Sequence, residues 1–190
     1  TAIALLALAF LLGGGELNKE EVEYTPSNME MAQEAYNPSA TRLSDIVHTD
    51  LSVRFDWEKQ HLHGTAEITA KPYFRATNEL ILDAKGFDIH AVNKGEQALT
   101  YTYEDDKLRI QLDKIYKRTE IYTISIDYTA KPNELGVEGS AAITDAKGLY
   151  FINPLGEEDK PQQIWTQGET ESSSCWFPTI DKPNERMTQN

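Results

Sequence analysis

The chain has 190 residues, and its 31 acidic and 18 basic side chains give a formal net charge of −13. Hydrophobic residues make up 39% and charged residues 26%, a globular mix long enough to bury a core in one domain or two small ones. The acidic balance excludes an ordinary nucleic-acid binder, and the single cysteine, Cys175, excludes a disulfide framework and a thiolate zinc finger.

The first element in chain order is an uncharged apolar run at residues 3–12. It is too short to span a bilayer, which takes about 20 residues, but it fits the core of a signal peptide. We therefore interpret residues 1–15 as a signal-like segment and expect a secreted, extracytoplasmic protein of the bacterial periplasm or cell surface. Membrane association through this segment is a related expectation. The alternative is the start of a buried helix or strand.

Residues 16–44 are interpreted as an acidic linker. Residues 16–40 carry six acids and one lysine, and their Pro, Ser and Asn residues predict at most a short helix near residues 29–36. A second acidic flank at residues 155–186 holds seven acids and three bases. Such flanks are most simply solvated surface.

The remainder of the chain, residues 45–190, is predicted to be a β domain. Apolar and polar residues alternate from Leu51 to Trp57 and, after a polar turn, from Leu62 to Ala70. Further strands are predicted at residues 78–83, 87–92, 101–103, 108–112 and 122–128. Short strands at this spacing, without a long amphipathic helix, predict a mainly β fold: an antiparallel, saddle-like β-sandwich.

The sequence shows no catalytic set of residues. It contains no His-Glu-x-x-His helix, nucleophile elbow or glycine-rich phosphate loop. His61 and His63 would share one face of a strand, where they could hold a metal only with a third ligand from a neighbour. Solvent-facing histidines are the commoner case, and we assign no catalytic residue, metal ligand or cofactor to this chain.

The most informative stretch is residues 162–186. It is polar, contains three consecutive serines, and holds two of the three tryptophans, Trp165 and Trp176. A polar loop held by aromatic residues suits a ligand-facing element. The residues alone equally allow a surface loop that Trp165, Trp176 and Phe177 anchor to the core.

Two motifs in this stretch resemble a known family. Thr166-Gln167-Gly168-Glu169 is followed, after about seven residues, by Phe177-Pro178-Thr179-Ile180-Asp181-Lys182-Pro183. The pair resembles the end of the N-terminal β domain of the aminopeptidase N family, the zinc-dependent gluzincin aminopeptidases. Gly148-Leu149-Tyr150, the first hairpin with Gly64 and the strand ending at Tyr128 also match, so that the resemblance covers about residues 45–188. Thr179 and Ser174 depart from the Cys and Arg that the family often has.

The resemblance implies an accessory N-terminal domain that leans on a thermolysin-like catalytic domain absent from this chain. Zinc and the catalytic residues would belong to that following domain, so that this chain should be inactive alone. Its partners would be the C-terminal catalytic domain and a peptide substrate with a free N-terminus. By the same resemblance, Glu169 would bind the substrate's α-ammonium and Gln167 would line the first side-chain pocket.

Two alternatives remain at this point. One is a secreted β-sandwich module that binds a glycan or another ligand, with Trp57, Trp165 and Trp176 as stacking platforms. Trp57 alternates with predicted core positions, so we expect it to face inward, which leaves few exposed rings. The other alternative is an inactive structural relative of the aminopeptidase family.

Overall fold

The computed structural model describes residues 39–136 and 146–190. The signal-like segment, the linker up to residue 38 and the short helix near residues 29–36 lie outside the described residues. Within them the chain forms eleven strands: β1 (Ser44–Asp56), β2 (His61–Pro72), β3 (Thr77–Asp83), β4 (Phe87–Lys94), β5 (Gln97–Ala98), β6 (Tyr101–Glu104), β7 (Lys107–Tyr116), β8 (Tyr122–Ala130), β9 (Leu149–Ile152), β10 (Gln163–Thr166) and β11 (Thr188–Gln189). The prediction of a mainly β fold is confirmed.

The strands form three sheets. The largest has six strands in the order β11-β1-β2-β8-β4-β5, the second has the order β3-β7-β6, and β9 pairs with β10 alone. Neighbouring strands are antiparallel, except that β11 runs parallel to β1. The described residues contain no helix long and apolar enough to cross a bilayer.

The alternation of apolar and polar residues in β2 and β8 explains the centre of the fold. Every second residue of β2, starting at Leu62, is buried. Small and large side chains are paired across the two strands: Ala66 lies opposite Ile126, and Ala70 lies opposite Tyr122. The same buried cluster includes side chains of β3 and β7, so that one core joins the six-stranded and the three-stranded sheets. Small side chains opposite large ones allow the close packing that is typical of protein interiors.

Gly64 marks the closest approach in this core. It lies opposite Tyr128, and a Cβ atom at position 64 would be 2.6 Å from the Cζ atom of the tyrosine ring. The ring is fully buried and stacks on Phe87 with 5.0 Å between centroids. Burial raises the pKa of the Tyr128 hydroxyl, which donates a hydrogen bond to the carbonyl oxygen of Trp176 at 3.1 Å. The absence of a side chain at Gly64 thus makes room for a ring that connects the core to the loop at residue 176.

The first strand differs from its sequence-based prediction. It begins at Ser44 rather than Leu51, because a bulge between Ile46 and His48 breaks the period of two that the prediction used. Val53, predicted to face inward, is 39% exposed. Its neighbours on that face are better covered, since the Phe151 ring of β9 meets Phe55 and Trp57 edge-on at 6.1 and 5.6 Å.

The residues just before β1 are already attached to the β body. Arg42 forms ion pairs with Asp45 at 2.6 Å and with Glu185 at 3.0 Å, and the carbonyl of Leu43 accepts a bond from the Tyr73 amide at 3.0 Å. The last residues of the predicted linker therefore contact residues at the start of β1, just after β2 and shortly before β11.

The contact between Gly64 and Tyr128 leads to a stability prediction. Gly64→Ala should lower the free energy of unfolding by about 1–3 kcal/mol, since the added methyl group overpacks a rigid aromatic core. Chemical denaturation monitored by tryptophan fluorescence measures the effect. Gly136→Ala is the matched control, because a Cβ there meets nothing within 4 Å. Equal stabilities of the two variants would contradict the prediction.

Candidate functional site

The site region is the loop of residues 166–182, which we call the 166–182 loop. It leaves β10, and its first amide extends the β9–β10 pairing, since the Gln167 N–H donates to the carbonyl of Gly148 at 2.9 Å. Gly148 has a φ of +70°, and a Cβ atom there would lie 1.9 Å from the carbonyl oxygen of Ser172. Only glycine fits this position, which gives Gly148-Leu149-Tyr150 a structural reason.

Asp83, at the end of β3, attaches the far side of the loop to the three-stranded sheet. Asp83 and Thr179 exchange two backbone hydrogen bonds, of 2.6 and 3.0 Å. One carboxylate oxygen of Asp83 accepts a bond from the Asp181 N–H at 2.9 Å, and the other pairs with Lys107. Hydrogen bonds that end on an ionised carboxylate are stronger than neutral ones, so this attachment is firm.

The second motif, Phe177 to Pro183, therefore serves as an anchor for the loop. Phe177 is buried in the core, and the Asp181 carboxylate accepts a hydrogen bond from the Ser174 N–H at 2.8 Å. The carbonyl of Ser174 in turn accepts a bond from the Lys85 N–H at 2.8 Å. Together with the Tyr128 bond to Trp176, these contacts hold the loop from three directions.

The structure brings the two predicted site residues together. Gln167 is half-buried and Glu169 is exposed, and the Gln167 side-chain amide donates to the Oε2 atom of Glu169 at 3.3 Å. An ionised carboxylate offers about four acceptor positions, so that this single long bond leaves it able to accept more. Gln167 thus contacts Glu169 without occupying all of its acceptor positions.

The neighbouring acid, Glu171, is used differently. Its carboxylate forms an ion pair with Lys182, and its carbonyl accepts a bond from the Lys85 Nζ at 2.6 Å. The hydrogen bond to Glu171 raises the pKa of Lys182, because it outweighs the opposing effect of burial. Glu171 is therefore part of the anchor, whereas Glu169 is presented to solvent.

A cleft of about 370 Å³ lies beside the loop. Its lining includes Thr166, Gly168, Trp176 and Asp181, but neither Gln167 nor Glu169. The carboxylate of Glu169 therefore lies outside this cleft. A ligand at Glu169 would be enclosed only if a second surface covered the loop.

The histidines singled out in the sequence bind protein groups. His61 forms a hydrogen bond with Glu134 at 2.7 Å, and His63 and His90 both bond to the Thr129 hydroxyl, at 3.0 and 2.8 Å. Desolvation lowers the pKa of His63. Across residues 39–136 and 146–190, no group of three or more His, Cys, Asp or Glu side chains is placed to hold a metal ion.

The three tryptophans do not form an exposed stacking platform. Trp57 packs on Phe151, and Trp176 is half-buried with its ring edge-on to Phe177 at 4.6 Å. Trp165 is 47% exposed and stacks on Tyr150 with 4.3 Å between centroids. One largely exposed ring gives little support to a glycan-binding module.

A comparison with known families identifies the class of domain. A family model described as the Peptidase M1 N-terminal domain matches residues 44–190, a range that includes both motifs and all eleven strands. The chain therefore belongs to the family of peptidase M1 N-terminal domains, as the sequence resemblance predicted. A comparison with curated protein sequences found no match.

Solved structures that are similar to this fold include M1 zinc metallopeptidases. The M1 zinc metallopeptidase from Deinococcus radiodurans matches with a TM-score of 0.64 and 18% identity over 80% of this chain and 32% of its own. A variant of a two-domain M1 zinc metallopeptidase bound to L-arginine matches with a TM-score of 0.64 and 17% identity over 81% of this chain and 33% of its own. Native yeast LTA4 hydrolase matches with a TM-score of 0.59 and 17% identity over 87% of this chain and 26% of its own. The chain thus spans a third or less of these proteins, and at such identity the likeness shows the fold.

The reactivity of the single thiol, Cys175, measures whether the 166–182 loop keeps this side chain buried. Cys175 is fully buried, its Sγ atom contacts the carbonyl of Ala146 at 3.4 Å, and burial raises its pKa to about 11. Only the thiolate is nucleophilic, so at pH 8 ionisation alone should slow alkylation by roughly a hundred-fold relative to the unfolded chain. Iodoacetamide labelling followed by mass spectrometry, in buffer and in urea, measures this ratio. Native and unfolded rates within a few-fold of each other would mean that the loop is open.

Proposed function

We propose that this chain is the accessory N-terminal domain of a zinc-dependent aminopeptidase and supplies Glu169 and Gln167 to the substrate-binding site. The family match over residues 44–190 supports the domain assignment. The observation that carries the site assignment is the contact between Gln167 and Glu169 on an otherwise anchored loop. The similar solved structures include M1 zinc metallopeptidases, which supports a zinc-dependent peptidase activity for the parent protein.

The chemistry of an aminopeptidase requires a group that recognises the free N-terminus. An enzyme that removes one residue at a time must measure its cut from the α-ammonium, and a carboxylate is the complementary charge. Glu169 offers that carboxylate, and Gln167 beside it would contact the first side chain of the substrate. The anchors at Asp83, Asp181 and Lys182 hold the loop in position, and misplacement by about 1 Å can cost a hundred-fold in rate.

The exposure of Glu169 explains why this role would need a second domain. An exposed pair of opposite charges is worth about 0–1 kcal/mol, because water screens both partners. The same pair is stronger where a covering surface excludes water. A following catalytic domain would supply that surface together with the zinc ion. In this proposal the part of the present chain is to hold the substrate.

We also propose an extracytoplasmic location for the parent protein. The support is the apolar run at residues 3–12, whose length suits the core of a signal peptide. A bacterial peptidase outside the cytoplasm would act on peptides in the periplasm or at the cell surface.

The role of Glu169 can be tested in the protein that unites this domain with the catalytic domain. Glu169→Ala should lower kcat/KM for free-amine substrates about ten- to a hundred-fold, since a hydrogen bond to a charged group is worth about 1.5–3 kcal/mol. Glu169→Gln keeps the shape and an acceptor oxygen but removes the charge, so it should lose less than Glu169→Ala, because a neutral hydrogen bond is weaker than a charged one but is not lost. Initial rates on a series of aminoacyl anilides measure both effects. Gln167→Ala should instead change the ranking of the first side chains in that series.

Glu157→Ala is the control, because Glu157 is an exposed acid in the connection between β9 and β10. Glu171→Ala is unsuitable, since it also removes the ion pair with Lys182. Equal, small effects of Glu169→Ala and Glu157→Ala would refute the assignment. A gene that encodes a His-Glu-x-x-His segment after this domain would support the parent activity. A parent protein without such a segment would favour the inactive-relative alternative.

A further inference from the structure

One end of the β domain exposes large apolar side chains beside basic ones. Phe74 is 70% exposed, Ile115 is 65% exposed and Ile121 is 58% exposed. They lie in the β2–β3 connection and around the turn that joins β7 to β8. With the basic residues between them they form a patch that we call the basic-apolar tip: Phe74, Arg75, Lys114, Ile115, Lys117, Arg118 and Ile121.

The backbone brings these separate segments together. Thr77 is paired with Tyr116, and the register then jumps to Glu79 opposite Gln111. Ile115 lies on the exposed face of β7 with Arg109, Gln111 and Asp113, whereas Tyr116 lies on the buried face with Leu112. The guanidinium of Arg118 lies 5.7 Å from the centre of the Phe74 ring, which joins the two connections directly.

The charge of the tip is opposite to that of the chain. The tip carries four cations, Arg75, Lys114, Lys117 and Arg118, on a chain with a net charge of −13. Two acids adjoin the tip in sequence, and both are engaged locally. The Asp113 carboxylate pairs with Lys94 at 3.1 Å. The Glu120 carboxylate pairs with Lys114 at 2.7 Å and accepts the Lys117 N–H at 2.8 Å. Hydrogen bonding to Lys114 lowers the pKa of Glu120 and keeps it ionised in this role.

We propose that the basic-apolar tip binds the surface of an anionic lipid bilayer. Phe74, Ile115 and Ile121 would enter the boundary between headgroups and acyl chains, while Arg75, Lys117 and Arg118 contact lipid phosphates. Exposed apolar groups ringed by cations are the combination that such a surface binds. The acidic remainder of the chain is repelled by the same surface, so that charge alone would turn the tip toward it. This inference does not depend on the proposed peptidase role.

A local fluorescence reporter tests the proposal in the full 190-residue chain. In the Phe74→Trp variant, the fluorescence of the introduced side chain should be quenched by vesicles of anionic phosphatidylglycerol and phosphatidylcholine with brominated acyl chains. Brominated vesicles of phosphatidylcholine alone should not quench it. The signal is corrected for the native tryptophans with the parent chain. A reporter at position 74 is needed because the apolar run at residues 3–12 can itself bind lipid whatever the lipid charge. Leu155→Trp is the matched control: Leu155 is 60% exposed, and three acids follow it closely.

Charge removal provides the second arm. In the Phe74→Trp background, Lys117→Gln with Arg118→Gln should weaken binding about 30-fold, since each cation near an anionic surface contributes roughly a five-fold factor. Lys59→Gln with Lys160→Gln, outside the tip, should leave binding unchanged. Three results would overturn the proposal: no quenching at position 74 by anionic vesicles, equal quenching at position 155, or a reporter emission at position 74 that is already blue-shifted without lipid. The last result would mean that protein covers the tip.

Discussion

The buried hydroxyl of Tyr128 is the contact on which the arrangement of the candidate site depends. The tyrosine stands at the centre of the six-stranded sheet, in space that Gly64 leaves open, and donates to the backbone of Trp176. A side chain at position 64 would displace the ring and disturb its hydrogen bond to the loop. One side chain, Tyr128, thus packs in the core and also bonds to the loop, so that a change in core packing would also affect the candidate site.

Acidic residues in and near the 166–182 loop have divided roles. The carboxylates of Asp83 and Asp181 accept backbone N–H groups, and that of Glu171 pairs with Lys182. Buried or half-buried carboxylates with such partners stabilise a loop that has no regular secondary structure. Glu169 is the loop acid whose side chain stays exposed, and among the described residues its carboxylate accepts a hydrogen bond from the Gln167 amide. A rigid loop with one presented carboxylate suits recognition of a cationic group.

Several features were predictable because they depend on local patterns. The period of two in Leu62–Ala70 and in Tyr122–Tyr128 predicts strands, and the structure confirms them as β2 and β8. The paired motifs around Gln167 and Phe177 predicted the family, which the match over residues 44–190 confirms. The start of β1 was wrong, since a bulge interrupts the pattern where the strand begins.

The sequence by itself predicted seven of the eleven strands and the family, and it nominated Gln167 and Glu169 as site residues. Only the tertiary structure showed how Glu171 is held, because its partner Lys182 lies 11 residues further along the chain and no local pattern relates the two. It also assembled the basic-apolar tip. Phe74 and Arg118 are far apart in the chain, and the pairing of Thr77 in β3 with Tyr116 in β7 brings their segments together. Alternation is a local property of the sequence, whereas such contacts between distant residues depend on how the strands pair.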